Sequence, residues 1–347
     1  MQAVMLREGC ALGLGEVAEP RLQAPDDVIV RVTTSAICGS DIHIKHGMMP
    51  GFSPGVVMGH EFVGVVEEVG PAVRRVSLGQ RVSVPAAIWC GTCPTCRQGA
   101  FQYCPHGGVW GGGDVFGKGL QGAQTALVRV PFADPCLVPI PDSVPDEQAV
   151  FVGDVFATGF HGASQGGIRP GDTVAVFGCG PIGLAAVISA QLFGPSRVIA
   201  MDMLANRLEL ARRFGAETVD VSQADPVALL REATGGEGVD VAIEAIGSPD
   251  ALLMALGAVR RGGMVSVVGL FPGPIEFPIQ QMAYYGVRLA MGLGDVSTMP
   301  RLMRLLESGR VDLSPLVTHT FPLAQALEAY ELFEHHKDQC LKVLLKP

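Results

Sequence analysis

The stretch Thr173-Val174-Ala175-Val176-Phe177-Gly178-Cys179-Gly180-Pro181-Ile182-Gly183 decides how this chain is read. Thr173 to Phe177 is apolar or β-branched without alternation, which suits a strand covered on both faces of a parallel sheet. The glycines follow at once as Gly-x-Gly-x-x-Gly. In that context each has a mechanical meaning. Gly178 permits a tight turn, Gly180 lets the backbone approach a pyrophosphate, and Gly183 lets the next helix pack on the strand. That helix opens at Pro181 and Ile182, and its free N–H groups and partial positive charge suit phosphate oxygens. The motif predicts a dinucleotide site.

Alternation of strand and helix continues on the C-terminal side. Strands are expected at 197–202, 218–221, 239–247 and 263–270, with helices at 181–193, 204–215, 226–233 and 249–260. Asp202 closes the second strand, nineteen residues past Gly183. A carboxylate there can accept the adenosine ribose hydroxyls and repel the extra phosphate of NADP. Asp202 could instead cap the following helix, and Arg207 could hold that phosphate. The reading favours NAD. On the N-terminal side the pattern differs. Residues 1–150 carry short apolar runs between Gly and Pro, at 28–32, 62–69, 81–85 and 126–130, as in a barrel or sandwich. The glycine-rich run 105–122 reads as a long mobile loop. The last fifty residues hold helices near 298–308 and 322–335 and a final strand, 341–346.

The bulk of the sequence narrows the function. At 347 residues and 48% hydrophobic, the chain can bury two ordinary cores. A net charge of −9 with scattered Arg and Lys argues against nucleic acid as partner. No run approaches the ~18 apolar residues of a membrane span, and no secretory leader is visible, so a soluble, cytoplasmic protein is expected. Nine cysteines without a leader point away from a disulfide framework and toward metal.

Four of those cysteines are close together: Cys90-x2-Cys93-x2-Cys96-x7-Cys104. Four thiolates make a closed tetrahedral zinc site with no position for substrate, so this site is structural. A more dispersed set comprises Cys38 in Cys38-Gly39-Ser40-Asp41, His60 in Gly59-His60-Glu61, and Asp154 in Gly153-Asp154. Spacing alone does not connect these three.

Gly59-His60-Glu61-x2-Gly64-x5-Gly70-x2-Val73, the Cys38-Gly39-Ser40-Asp41 segment, the four-cysteine lobe and the glycine-rich turn occur in one order over essentially the whole chain. In this the sequence resembles the zinc-containing medium-chain dehydrogenases. The resemblance implies an α/β architecture: a β-rich GroES-like catalytic domain, 1–155 and 293–347, interrupted by a Rossmann NAD-binding domain, 156–292. It implies Cys38, His60 and Asp154 as ligands of a catalytic zinc, a second zinc in the lobe, and Glu61 either as a fourth ligand or as an ion-paired group behind the metal. An aspartate at 154, Phe160-His161-Gly162-Ala163 and Trp110 are similar to bacterial secondary-alcohol dehydrogenases. Members of that group that prefer NADP lack both the strand-end acid and the lobe, which this chain has.

The implied activity is reversible hydride transfer between a small, secondary alcohol, or its ketone or aldehyde, and NAD. Ser40 would take the alcohol proton and pass it through the cofactor ribose to His43. Thr158 would support the nicotinamide face. A substrate pocket between the domains would be lined by Ile88, Trp110 and residues near Leu293, with plain packing as the alternative for Trp110. His46 and His106 are read as solvated. Polyol or threonine dehydrogenases share nearly every motif and stand as the alternative. A non-catalytic zinc and nucleotide binder is disfavoured by the intact Cys38, His60 and Ser40. The apolar strand 287–292 could pair with its copy, giving a homodimer or homotetramer.

Overall fold

A computed structural model describes residues 1–49, 51–112, 117–271 and 273–347 of the chain. The chain divides into two compact units, Met1–Asp154 with Asp295–Pro347, and Val155–Gly294.

The second unit is built on the sheet that the glycine-rich motif announced. Its strands lie in the order Glu217–Asp220, Arg197–Asp202, Thr173–Phe177, Val239–Glu244, Val259–Val267, Arg288–Met291, and every pairing is parallel. In sequence rank this is 3-2-1-4-5-6, the doubly wound order, which reverses beside the first strand and leaves a crevice at the carboxyl ends there. Phe177, Ile199, Met201, Ala242, Leu252 and Val265 form part of one buried cluster under the sheet. The fifth strand begins at Val259, directly after the helix Pro249–Ala258, and its register slips between Val239 and Val241. Glycines at 262 and 263 hid this early start from the apolar pattern.

The first unit is mostly antiparallel. Its main sheet runs His319–Pro322, Val343–Lys346, Val28–Ala36, Glu61–Val69, Arg81–Val84, Val138–Pro139, and Leu127–Val130 also pairs on Val28–Ala36. A hairpin of Gln2–Leu6 and Leu12–Glu16 precedes it. Strand alternation is lost in that hairpin because Gly13 and Gly15 stand where the Arg7 side chain lies, Nη2 donating to the Leu14 carbonyl at 2.6 Å.

The glycine-rich run 105–122 differs from the long loop expected. Gly108–Val109 pairs with Ala87–Ile88, and Trp110 bridges Leu120. The glycines serve close approach: a Cβ on Gly107 would lie 1.9 Å from the Ile88 carbonyl oxygen, and one on Gly122 would lie 2.2 Å from that of Met58. Residues 113–116 of the run lie outside the described residues. No helix among the described residues is long and apolar enough to cross a membrane.

Candidate functional site

The four-cysteine lobe folds back on itself through its own sulfurs. Cys93 caps the short helix Pro94–Arg97, its Sγ accepting the Cys96 N–H at 3.5 Å, and the Cys90 N–H donates to Cys104 Sγ at 3.4 Å. Cys104 Sγ lies 3.6 Å from Cys90 Sγ and 3.8 Å from Cys93 Sγ. A disulfide would require about 2.05 Å. A tetrahedron with zinc–sulfur bonds of about 2.3 Å has edges near 3.8 Å, so the spacing fits a zinc ion. The thiols also differ in acidity. Burial pushes Cys90 up, but the backbone N–H groups of Thr92 and Cys93 outweigh it and bring it down to about 6. Burial and its sulfur neighbours push Cys96 up to about 12. Four sulfurs this close do not all ionise without a cation among them.

The dispersed residues come together in the first unit. Ligand atoms of Cys38, His60, Glu61 and Asp154 all lie within 4.8 Å of one another. Cys38 follows the strand Val28–Ala36 by two residues and caps the helix Gly39–Lys45. His60 sits between a strained glycine and the strand Glu61–Val69; Gly59 has φ +93°, and a Cβ there would meet Gln124 at 2.6 Å. Asp154 follows Gly153, where a Cβ would lie 2.2 Å from the Val84 carbonyl oxygen. These glycines are what allow the two ligands to be set into a packed sheet edge. His60 Nε2 is 3.3 Å from Asp154 Oδ2, the edge of a tetrahedron with bonds of about 2.05 Å, and Cys38 Sγ is 4.0 Å from the same oxygen. Burial disfavours the His60 imidazolium, yet Cys38, Asp154 and Asp41 outweigh burial and raise its pKa well above the ordinary value. These groups concentrate negative charge around one point, and the donor set of Cys38, His60 and Asp154 fits a divalent cation with one position left open.

Three residues around this cluster escaped the sequence reading. Asp41 Oδ1 stands 3.6 Å from His60 Nδ1, and its Oδ2 accepts the Cys38 N–H at 3.0 Å. It therefore orients two ligands at once, the outer carboxylate that metal-bound histidines commonly have. Its signal was visible: an acid at the third helical position after Cys38 completes a capping box. Lys342, fully buried, pairs with Oε1 of the fully buried Glu61. Burial would neutralise Lys342, but Glu61, Cys38 and Asp154 keep it charged. No local pattern reveals a contact across 281 residues. Tyr330, also buried, donates to Gln124 Oε1 at 2.9 Å behind Asp41.

Ser40 and His43 lie three apart on the helix Gly39–Lys45, hence on one face. Ser40 Oγ is 3.4 Å from His60 Nε2. Burial lowers the pKa of His43, and the charges of His46 and Lys337 lower it further.

In the second unit the glycine-rich turn has the expected mechanics. Gly178 takes φ +92°, and a Cβ on Gly183 would fall 1.8 Å from the Gly178 carbonyl oxygen. Among the described residues only Arg207 Nη1 comes near Gly180, at 3.9 Å from a Cβ, which leaves its backbone room for a ligand. Asp202 holds the turn in place. Its Oδ2 accepts the Cys179 N–H at 2.8 Å, and Oδ1 accepts those of Met203 and Leu204. Arg207 Nη1 stands 3.8 Å from Asp202 Oδ2, and Arg207 Nε has no partner among the described residues. Asp202 thus ties the turn through both carboxylate oxygens.

With both clusters and the turn in view, the comparisons with known proteins agree. The alcohol dehydrogenase GroES-like domain matches residues 24–142, and the zinc-binding dehydrogenase family matches residues 181–308. An alcohol dehydrogenase of Cupriavidus necator is 38% identical over 100% of this chain and 99% of its own length. The chain belongs to the zinc-type medium-chain alcohol dehydrogenases. Among solved structures, the alcohol dehydrogenase TADH from Thermus sp. ATN1 is 42% identical with a TM-score of 0.94, covering 100% of this chain and 99% of that one. A zinc-binding dehydrogenase from Sinorhizobium meliloti 1021, solved bound to NADP, is 29% identical with a TM-score of 0.88, covering 100% and 99%. The GroES-like and Rossmann architecture follows for this dehydrogenase, as does oxidoreductase chemistry on alcohols.

The remaining predicted residues lie elsewhere. Ile88 and Trp110 are buried; Trp110 Nε1 donates to the Pro85 carbonyl at 2.7 Å and its ring meets Phe62 edge-on at 5.4 Å. Thr158 abuts Gly294, where a Cβ would lie 2.6 Å from Thr158 Oγ1, and the half-buried Leu293 precedes that glycine. His106 is exposed. His46 is exposed, as expected, and with Lys45 it is tethered by Glu334, its Nε2 2.5 Å from Oε1.

Proposed function

We propose that this dehydrogenase oxidises a small secondary alcohol, reversibly, with NAD. The observation that carries the reading is the meeting of Cys38, His60 and Asp154 with Ser40 Oγ 3.4 Å from His60 Nε2. Zinc held by those three ligands would supply Lewis acidity to the substrate oxygen, and NAD would accept the hydride. Cys38 and Asp154 neutralise the cation. Asp41 fixes the His60 ring, so that Nε2 faces the cluster. Lys342 holds Oε1 of Glu61, while Oε2 has no partner among the described residues, so Glu61 is ion-paired and keeps an oxygen for the metal. Ser40 is placed to accept the alcohol proton, and His43, on the same helix face, to release it to water. Cys90, Cys93, Cys96 and Cys104 would hold a second, structural zinc.

Elemental analysis of the purified protein is expected to give two zinc ions per chain. Rates with secondary alcohols, polyols and threonine test the substrate class. Preference for a polyol or for threonine would overturn it.

NAD is preferred over NADP on the strength of Asp202, whose carboxylate closes the second strand beside the glycine-rich turn and whose charge opposes a phosphate. The NADP-bound relative shows that the fold itself does not decide. Asp202→Gly is expected to shift the ratio of kcat/KM for NAD over NADP toward NADP by about tenfold or more, since one like charge beside a phosphate is worth at least that. A wild type that already favours NADP would mean that Arg207 governs. The second unit also supports a homo-oligomer. The edge strand Arg288–Met291 is joined at the surface by exposed Ile279, Tyr284 and Met291, which suits pairing with a second copy. Sedimentation at micromolar concentration tests it, and a monomer would refute it.

A further inference from the structure

Glu244 takes part in none of the steps above, yet its seat is unusual. It closes the strand Val239–Glu244, beside the glycine-rich strand and on the opposite side from Asp202. The residue is fully buried. Its Oε1 accepts the N–H groups of Ile246 at 2.8 Å and Gly247 at 2.7 Å. Its backbone carbonyl accepts those of Val268 at 2.9 Å and Gly269 at 3.2 Å. One residue therefore ties together the loops that leave two adjacent parallel strands.

The loops interlock over it. A Cβ on Gly269 would lie 2.2 Å from the Gly247 nitrogen and 2.5 Å from Glu244 Oε2, and one on Gly247 would lie 2.3 Å from the Leu270 carbonyl oxygen. Glu244 Oε2 has no partner among the described residues. A carboxyl buried this way costs stability, so stability alone does not account for it. The same two loops leave large apolar side chains in water: Ile246 is 53% exposed and Leu270 46%. Ile246 leans over the turn, its Cγ1 only 2.5 Å from where a Cβ on Gly178 would stand.

In a sheet of this order a dinucleotide lies across the carboxyl ends at the reversal. With the adenosine half on the Asp202 side, the second half falls beyond the glycine-rich turn, over the strands ending at Glu244 and Val267. We propose that Glu244 is a positioning residue for the nicotinamide half of the cofactor: it fixes loops 245–248 and 268–271 so that Ile246 and Leu270 wall the ring. This rests on the dinucleotide reading of the second unit.

The test compares binding of NADH with binding of ADP-ribose, which keeps the adenosine, both phosphates and the second ribose but lacks the nicotinamide. Titration calorimetry on wild type, Glu244→Gln, Glu244→Leu and Glu244→Asp gives both constants. Wild type that binds neither ligand defeats the dinucleotide reading itself. Given wild-type binding, Glu244→Leu is expected to weaken NADH by about tenfold or more, about the worth of one of the two backbone hydrogen bonds that it removes, with ADP-ribose within about twofold. Glu244→Gln keeps an acceptor at Oε1 and should stay near wild type for both. Glu244→Asp withdraws the carboxyl by one carbon and should shift the ratio as Leu does, which keeps the test open if the Leu variant fails to fold. A folded Leu or Asp variant with the wild-type ratio, or an equal loss of both ligands, overturns the proposal. So does a Gln variant as impaired as Leu.

Discussion

Cys38→Ala, purified in the presence of zinc, is expected to carry one zinc ion per chain instead of two and to turn over alcohol at least about 1,000-fold more slowly than wild type. The magnitude follows from the chemistry that the thiolate secures. Lewis-acid stabilisation of a developing alkoxide is worth several kcal/mol, and about 4 kcal/mol is about 1,000-fold in rate. Without Cys38 the cluster loses its one thiolate and the charge that it brings to the cation. The fold should survive, since the lobe sulfurs and both cores are untouched. Cys93→Ser is the contrasting variant. It opens the closed site, so thermal stability should fall first and activity only with it, as metal–sulfur bonds contribute folding energy to a loop of little core. Metal analysis and a melting curve on the two proteins check this. A Cys38→Ala protein that keeps two zinc ions would remove the assignment of the cluster.

These expectations rest on parts of the molecule that were legible to different degrees in the sequence. The glycine-rich turn and the four-cysteine lobe are local: each makes its chemistry from residues within fifteen positions, so spacing carries the geometry. The catalytic cluster is not local. Cys38, His60 and Asp154 are joined by strand pairing, Ala36 opposite Glu61, and by Gly153 packed on Val84, which only a family resemblance could anticipate. Lys342 was hidden for the same reason, and also because a lysine reads as surface until a buried carboxylate is found beside it. Asp202 shows a different limit. Its type and position were readable, but the three backbone N–H groups that occupy it were not, so a residue expected to meet the ribose turns out to hold the turn as well. The glycine-rich run misled in the opposite way. Gly107 and Gly122 are there because the Ile88 and Met58 carbonyls press against them, a packing reason that composition cannot tell from mobility.

Ser40→Ala is expected to lower kcat about 100-fold while leaving NADH affinity and zinc content at wild-type values. A positioned proton-transfer group is worth about that factor. The hydroxyl lies beside His60 but is not one of the clustered ligands, and the turn at Gly178 and Asp202 belongs to the other unit. If Ser40 hands its proton toward His43, the pH profile should show it. Burial first, then His46 and Lys337, hold His43 below the ordinary histidine value. A protonated His43 cannot accept, so alcohol oxidation falls as pH falls through its pKa, and the depressed pKa places that fall on the acid side of the usual histidine range. His46→Gln removes one of the charges that depress it and should move the acid limb of kcat upward. In Ser40→Ala the limb set by His43 should disappear, because the relay no longer reaches it. Steady-state rates across pH 5 to 9 with a secondary alcohol, alongside NADH titration by fluorescence, give all of these readings. Retention of most of the wild-type kcat by Ser40→Ala, or an acid limb that ignores His46→Gln, would send the proton through water and leave Ser40 and His43 as residues of the helix alone.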